Sequence, residues 1–465
     1  MVSQRNVFWR SIPPVRRRTS GVELDVLRRP HMLEKGLERS LEIAGIPTAA
    51  PSVSPAEEAL VLLEIAAELE HALLIEYLYA AFSCETVSLR NTLLLIARQE
   101  MGHLITVQNL RLLLGGVPYL GRQDQSPQPE NDPFLFRLEP VSLEVLAKYC
   151  VCEMPAESKV PSGLQPLVEE IRQRAAAVVG DAIHRVGALY AKIYWLFMAD
   201  DHNVGPWVDF PADIFASIEP GRHVRTLPGS AHTSLQADSA EWEVGGDDIY
   251  VDLCANRDQA LDALQRIAAQ GEGLSTETES HFELFVAAYE QFKSGSVRVH
   301  PVPINPTTAG DCPGTPLSNP VASGLAKLLD ASYELLILEI LLSLSIDRNS
   351  DQVELRTALI HEALIDMRVC IRRIANHLAS KIPLAAGQPL GAVPRAGATF
   401  TAPAITTGTR TELTRRWGDA IARFQAQIAA VDSLPALDTV ARSWLAGFRS
   451  QAQAKQALSE RLAAS

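Results

Sequence analysis

Residues 89–116 read LRNTLLLIARQEMGHLITVQNLRLLLGG. Leu93, Ile96, Ala97, Leu104, Val107, Leu110 and Leu114 recur at helical spacing, so this is a helix that turns one face inward. Glu100 and His103 fall in the middle of that face. Three positions apart on a helix, their side chains project to one side and can grip a single metal ion. Buried charge needs compensation. A metal supplies it, and so does a hydrogen-bonded core pair; Glu-x-x-His alone does not choose between them. Gly115-Gly116 followed by Pro118 stops the helix.

The same test extends to either side. Ser54-Pro55 with Glu57 and Glu58 marks a helix start, and the helix it opens is expected over Ala56 to Phe82. Its stripe of Leu63, Ala66, Ala67, Leu73, Leu74 and Tyr77 has Glu70 at the centre, a second carboxylate where none is expected. Glu64 and Glu68 are read as a solvated pair, Glu76 as a rim ligand or a hydrogen-bonded side chain, and His71 as a core or supporting residue. Downstream, a long loop from Tyr119 to Pro140 leads to a short helix from Ser142 to Cys150. A long helix is then expected over Leu167 to Met198, with Ile183, Val186, Gly187, Tyr190, Ile193 and Tyr194 inward and no carboxylate between Asp181 and Asp200.

From Val204 to Asp252 the pattern changes to short β-like pieces and turns, an insertion long enough for a lid or pocket wall. A further helix from Asn256 ends in Gln270-Gly271-Glu272-Gly273, and another starts at Ser280-His281-Phe282 and runs to Phe292. Pro301 to Pro320 reads as a linker. Beyond it, helices are expected over 322–346, 353–379, 411–430 and 437–463, with Glu334, Glu339, His361, Glu362 and Asp366 read as packing or surface residues. The chain is thus all-α, divided as a basic arm and linker (1–54), a metal-binding bundle (55–295, insertion about 204–252) and a C-terminal helical domain (321–465).

Composition sets limits. With 465 residues, 47% of them hydrophobic and 21% charged, the chain can bury a sizeable core. A net charge of -13 argues against a nucleic-acid binder, which needs clustered Lys and Arg. Arg5, Arg10, Arg16, Arg17, Arg18, Arg28 and Arg29 form a local basic arm, and Ile12-Pro13-Pro14 there is unlike a secretory signal. The longest apolar run, Leu335 to Ile346, is short and contains Glu339, so no membrane span is expected. Six scattered cysteines suit reduced thiols and a cytoplasmic location; Cys150 and Cys152 form a C-x-C with no second pair near it.

Glu70, Glu100, His103, Glu272 and His281 together are the parts of a carboxylate-rich metal site within a helical bundle. Oxygen ligands with one or two imidazoles suit iron, as one or two ions, or manganese. Tyr77 and Tyr190, on inward faces, are candidate catalytic proton or hydrogen-bond donors, with buried structural roles as the alternative.

The stretches Glu68-Leu69-Glu70-His71-Ala72 with Tyr77-Leu78, Glu100-Met101-Gly102-His103, Val186-Gly187 with Tyr190, and Gln270-Gly271-Glu272-Gly273 followed by Ser280-His281-Phe282 resemble the ferritin-like family of iminophenyl-pyruvate dimer synthases. These enzymes of violacein and rebeccamycin pathways couple amino-acid-derived imines. The resemblance covers about Pro55 to Phe292 and implies a ferritin-like bundle with the five residues above as metal ligands. It departs at Ala188, where the family pattern places a glutamate; a two-metal site would then draw on Glu76, Asp200, Asp201 or water. The expected function is an iron-dependent oxidoreductase of specialised metabolism acting with oxygen or peroxide on a small amino-acid-derived substrate. Imine coupling and a non-catalytic metal-binding protein are the alternatives. Expected partners are that substrate and oxidant, with a homodimer as a further option and neither nucleic acid nor membrane.

Overall fold

The computed structural model describes residues 7–10, 46–49, 53–122, 136–155, 160–179, 186–199, 210–242, 249–272, 279–309, 314–401 and 406–464. Helix α1 (Pro55–Ser83) begins on a capping box: Glu57 N donates to the Ser54 hydroxyl, and the Ser54 N–H donates to the Glu57 carboxylate at 2.9 Å. A short turn reverses the chain into α2 (Val87–Leu113), the helix that carries Glu100 and His103. Gly115 ends it with a φ of 76°, a left-handed conformation that glycine takes without steric cost. The two helices pack along their length.

Helices α3 (Leu143–Cys152) and α4 (Gln165–Val179) pack on each other, and α7 (His281–Lys293) lies against α3 and α2. Helix α5 (Val186–Phe197) packs on α1 and on α6 (Arg257–Glu272). Of the long helix expected over 167–198, the described residues show α4 and α5; residues 180–185 between them lie outside the described residues. The expected β-like insertion needs correction. Its described part holds a short helix Ala212–Ile218, a 3-10 segment Pro228–Leu235 and a helical turn Ser239–Trp242, with no strand among the described residues. Pro206-Trp207-Val208 lies outside them. Buried Gln236, Asn109 and Arg356 hold this segment by hydrogen bonds to backbone groups, which replace the ladder a strand would have used.

The Pro-rich stretch after α7 contributes two two-residue strands, Pro306–Thr307 and Thr315–Pro316, paired in parallel. Helices α8 (Pro320–Ser343), α9 (Val353–Ile365), α10 (Arg372–Lys381), α11 (Arg410–Asp432) and α12 (Thr439–Ala463) follow, with a π-helical turn at Asp366–Ile371 between α9 and α10. Helix α8 packs on α9 and α11, α11 on α12, and α10 reaches back to α1. One contiguous apolar core runs from Ile46 through both helical groups to Leu462.

In the second group, Glu339, Glu362 and Asp366 are not simple packing or surface residues. Lys455, fully buried, lies 2.5 Å from Glu339, 3.1 Å from Glu362 and 3.1 Å from Asp366. One ammonium facing three carboxylates cannot neutralise them all, so burial leaves the Glu339 and Asp366 carboxyls above their usual range. Glu334 pairs with Arg423 at 2.8 Å. No described helix is long and apolar enough to cross a membrane.

Candidate metal centre

Glu70 projects from α1, Glu100 and His103 from α2, Glu153 from the residue that caps α3, and His281 from the first turn of α7. All five are buried. They form two overlapping triads, Glu70–Glu100–His103 and Glu100–Glu153–His281, within each of which the ligand atoms lie within 4.8 Å of one another. Glu100 is common to both. Its Oε2 lies 2.9 Å from His103 Nδ1, and its Oε1 lies 3.0 Å from His281 Nδ1. Glu70 Oε2 stands 3.6 Å from His103 Nδ1, and Glu153 Oε2 stands 4.0 Å from His281 Nδ1.

The surrounding residues orient these ligands in the same way on both sides. His103 Nε2 faces Gln270 Oε1 at 2.8 Å, and His281 Nε2 faces Gln99 Oε1 at 3.1 Å. An amide oxygen accepts, so each imidazole donates from Nε2 and can turn an Nδ1 lone pair toward the carboxylates. Tyr190 donates to Glu70 Oε1, and Tyr77 donates to Glu153 Oε1 at 2.8 Å. Burial and the adjacent carboxylates hold both phenols well above their ordinary pKa, which keeps them donors at neutral pH.

The charge state follows from the geometry. Burial, and then the Glu100 charge, push the Glu70 carboxyl up to about 8. Glu100 goes the other way: burial opposes ionisation, but His281 and His103 outweigh it and hold the carboxyl below its usual range. His103 is correspondingly raised, Glu100 and Glu70 overcoming the cost of burial. A proton on His103 and one on Glu70 thus offset part of the cluster's negative charge where a cation would otherwise do so. The donor set fits a metal in one further respect. Glu100 Oε1 and His281 Nδ1 are buried, face each other at 3.0 Å, and have no hydrogen-bond partner; such orphaned atoms are costly unless something binds them.

A family model described as Ferritin-like matches residues 63–290. This part of the chain is ferritin-like. No curated protein and no solved structure matches the chain. The ferritin-like region contains every ligand named above, and its all-α architecture agrees with the expectation from sequence.

Of the expected site residues, Glu70, Glu100, His103 and His281 come together, with Tyr77 and Tyr190 one bond behind them. Glu272 closes α6, but its side chain lies outside the described residues. Asp200 and Asp201 also lie outside them. Glu76 points elsewhere, accepting from the Arg137 N–H at 2.7 Å, and His71 bonds Tyr333 instead of the cluster. From α5, Val186, Gly187 and Tyr190 face the ligands, so Ala188 is not on the lining face.

Glu153, Gln99 and Gln270 were not among the expected residues. Glu153 joins the cluster from the C-terminal end of α3. Its signal in the sequence was an acid between buried Cys152 and Met154, and the short helix was read as ending three residues earlier, with attention on the C-x-C instead. Cys150 and Cys152 are buried and join neither triad. Gly271 shows how close the packing is: a Cβ there would lie 2.8 Å from Glu153 Oε2. The space enclosed by the ligands and α5 is only about 20 Å3, enough for about one water-sized group.

Proposed function

We propose that the ferritin-like region would hold two iron ions, with Glu100 a ligand common to both, and that the protein is an iron-dependent oxidoreductase using oxygen or peroxide on a small amino-acid-derived substrate. The observation that carries this reading is the sharing of Glu100 between two triads. Glu70 and His103 would complete one ion's protein ligands, and Glu153 and His281 the other's. When bound, iron in such an oxygen- and nitrogen-rich set supplies one-electron redox chemistry and open positions for an oxidant.

The chain's own residues have separate tasks. Gln270 and Gln99 fix the imidazole tautomers, and Tyr190 and Tyr77 hold the outer oxygens of Glu70 and Glu153 so that the inner oxygens converge. The two phenols stand directly behind the ligands, and we assign them the role of proton donors in turnover. The apolar wall of Leu73, Ile267 and Ala268 keeps bulk water from the centre. The narrower identification with imine coupling rests on the motif resemblance alone.

Anaerobic titration with ferrous iron tests the reading: two ions per chain are expected, followed by oxygen consumption on admission of air. Uptake far above two ions would point to storage. Full activity without metal in folded Glu100→Ala and His103→Ala variants would exclude the metal reading altogether.

A further inference from the structure

A second cavity, of about 300 Å3, lies between the two helical groups. It uses faces of α1 and α2 that are turned about a quarter-turn away from Glu70 and Glu100. Leu74 and Leu78 of α1 and Met101 of α2 form one wall; Leu336 and Ile337 of α8 and Met367 of the π-helical turn form the other. Its size is at the lower end for small-molecule sites.

The cavity has two unlike ends. At one, His71, Tyr333 and Phe400 meet, and their polar atoms are engaged. The Tyr333 hydroxyl donates to His71 Nε2 at 2.5 Å and accepts from Arg122 at 3.1 Å, while His71 Nδ1 donates to the Gly121 carbonyl at 3.2 Å. Burial, aided by Arg122, pushes the His71 pKa down to about 3, so this end carries no cationic imidazole at neutral pH. Rings and hydrocarbon are what it offers a ligand.

The other end is cationic. Arg368 and Arg372 line the cavity and also line a more open cleft of about 400 Å3 with Arg373, His377 and Trp444; Arg98 adds a further guanidinium to the cavity wall. Three arginines, Arg368, Arg372 and Arg373, gather here in a chain whose net charge is -13. Among the described residues no ion pair engages Arg372 or Arg373, and both are exposed. The π-helical turn Asp366–Ile371 sits at this junction and supplies Met367, Arg368 and Ile371 to the wall; such turns recur at functional sites.

We propose that this cavity binds an organic carboxylate with an apolar body, the body packed between α1, α2 and α8 and the head group at Arg368 and Arg372. The guanidinium fork matches a carboxylate, and an apolar pocket with a few placed charges sets the direction of entry. The site does not depend on the metal centre.

Calorimetric titration of the full chain, with and without a chelator, tests it using decanoate, 1-decanol, acetate and inorganic phosphate. One decanoate per chain is expected, bound at least about tenfold more tightly than decanol or acetate, with chelator making no difference. Arg372→Gln, an exposed change that leaves the core untouched, should weaken decanoate about tenfold. Ala97→Phe, which fills the cavity wall, should abolish binding while circular dichroism stays unchanged. Equal affinity for decanol would remove the head-group assignment; equal affinity for acetate or phosphate would make this an anion cleft with no cavity ligand. Either result, an unaffected Arg372→Gln, or no decanoate binding would overturn the proposal.

Discussion

Replacing Glu153 by Gln tests the two-ion reading most directly, because its effect should change sign with metal. Without metal, the cluster confines three carboxylates around two imidazoles, and removing one acid relieves like-charge crowding in a buried place. The amide keeps its carbonyl for the Tyr77 hydroxyl, now 2.8 Å from Glu153 Oε1. The metal-free variant should therefore be as stable as the parent or slightly more so. With metal, the second triad loses its terminal anion while Glu70, Glu100 and His103 remain. Changing even a supporting residue costs about 10–100-fold in affinity, so loss of a direct ligand should cost at least about 100-fold at one ion, or about 2.7 kcal/mol. Ferrous titration should fall from two ions per chain to one, and the melting temperature gained on metal addition should shrink. Glu70→Gln should remove the other ion instead. Retention of two ions at near-parental affinity by Glu153→Gln would refute the assignment of this residue, and a single ion in the parent would refute the shared role of Glu100.

Metal affinity should rise with pH through about 8, where the Glu70 carboxyl ionises, and go on rising as the raised His103 loses its proton, because a cation competes with both protons; competition titrations across this range would read it. In the metal-free protein the raised Glu70 pKa is destabilising: stability falls as pH rises from the ordinary carboxyl value of 4.5 to about 8, and Glu70→Gln should flatten that part of the denaturation profile. Gly271→Ala places a methyl 2.8 Å from Glu153 Oε2, so one ion should be lost with little change in helix content. Lys455→Met strands Glu339, Glu362 and Asp366 and should cost about 3–5 kcal/mol in denaturant unfolding. That loss should lessen as pH falls, since the buried carboxyls, already raised, then take up protons.

Some of the centre was legible because helical spacing is a local property. An acid or imidazole inside an apolar stripe stands out by its neighbours alone, which is how Glu70, Glu100 and His103 were found, and Ser280 as an N-cap placed His281 at a helix start. Glu153 gave no such periodic signal: it caps a short helix, and only the packing of α3 against α7 brings it to His281. Gln99 and Gln270 were invisible for a related reason. A glutamine is ordinary on any helix, and its value here lies in a ring nitrogen on another element.

The β-like reading of 204–252 does not hold in its described part, 210–242 and 249–252, because Gly, Pro and alternating residues describe irregular backbone as well as strands. Buried side chains such as Asn109, bonded to Ala237 and Asp252, decided which it was. Similarly, Glu339, Glu362 and Asp366 sit on helices whose periodicity was read correctly, yet their partner, Lys455, lies 116 positions from Glu339.

The sequence by itself determined the long helices that carry Glu70, Glu100 and His103, with their inward faces, because propensity, capping and periodicity act within a few residues of chain. Only the tertiary structure decided that Glu100 serves two triads, that Glu153 reaches His281 from the end of α3, and that arginines of the π-helical turn and α10 border a cavity on α1 and α2. Those are distances between side chains on separate elements, fixed by how the apolar faces pack and not by the spacing along any one of them.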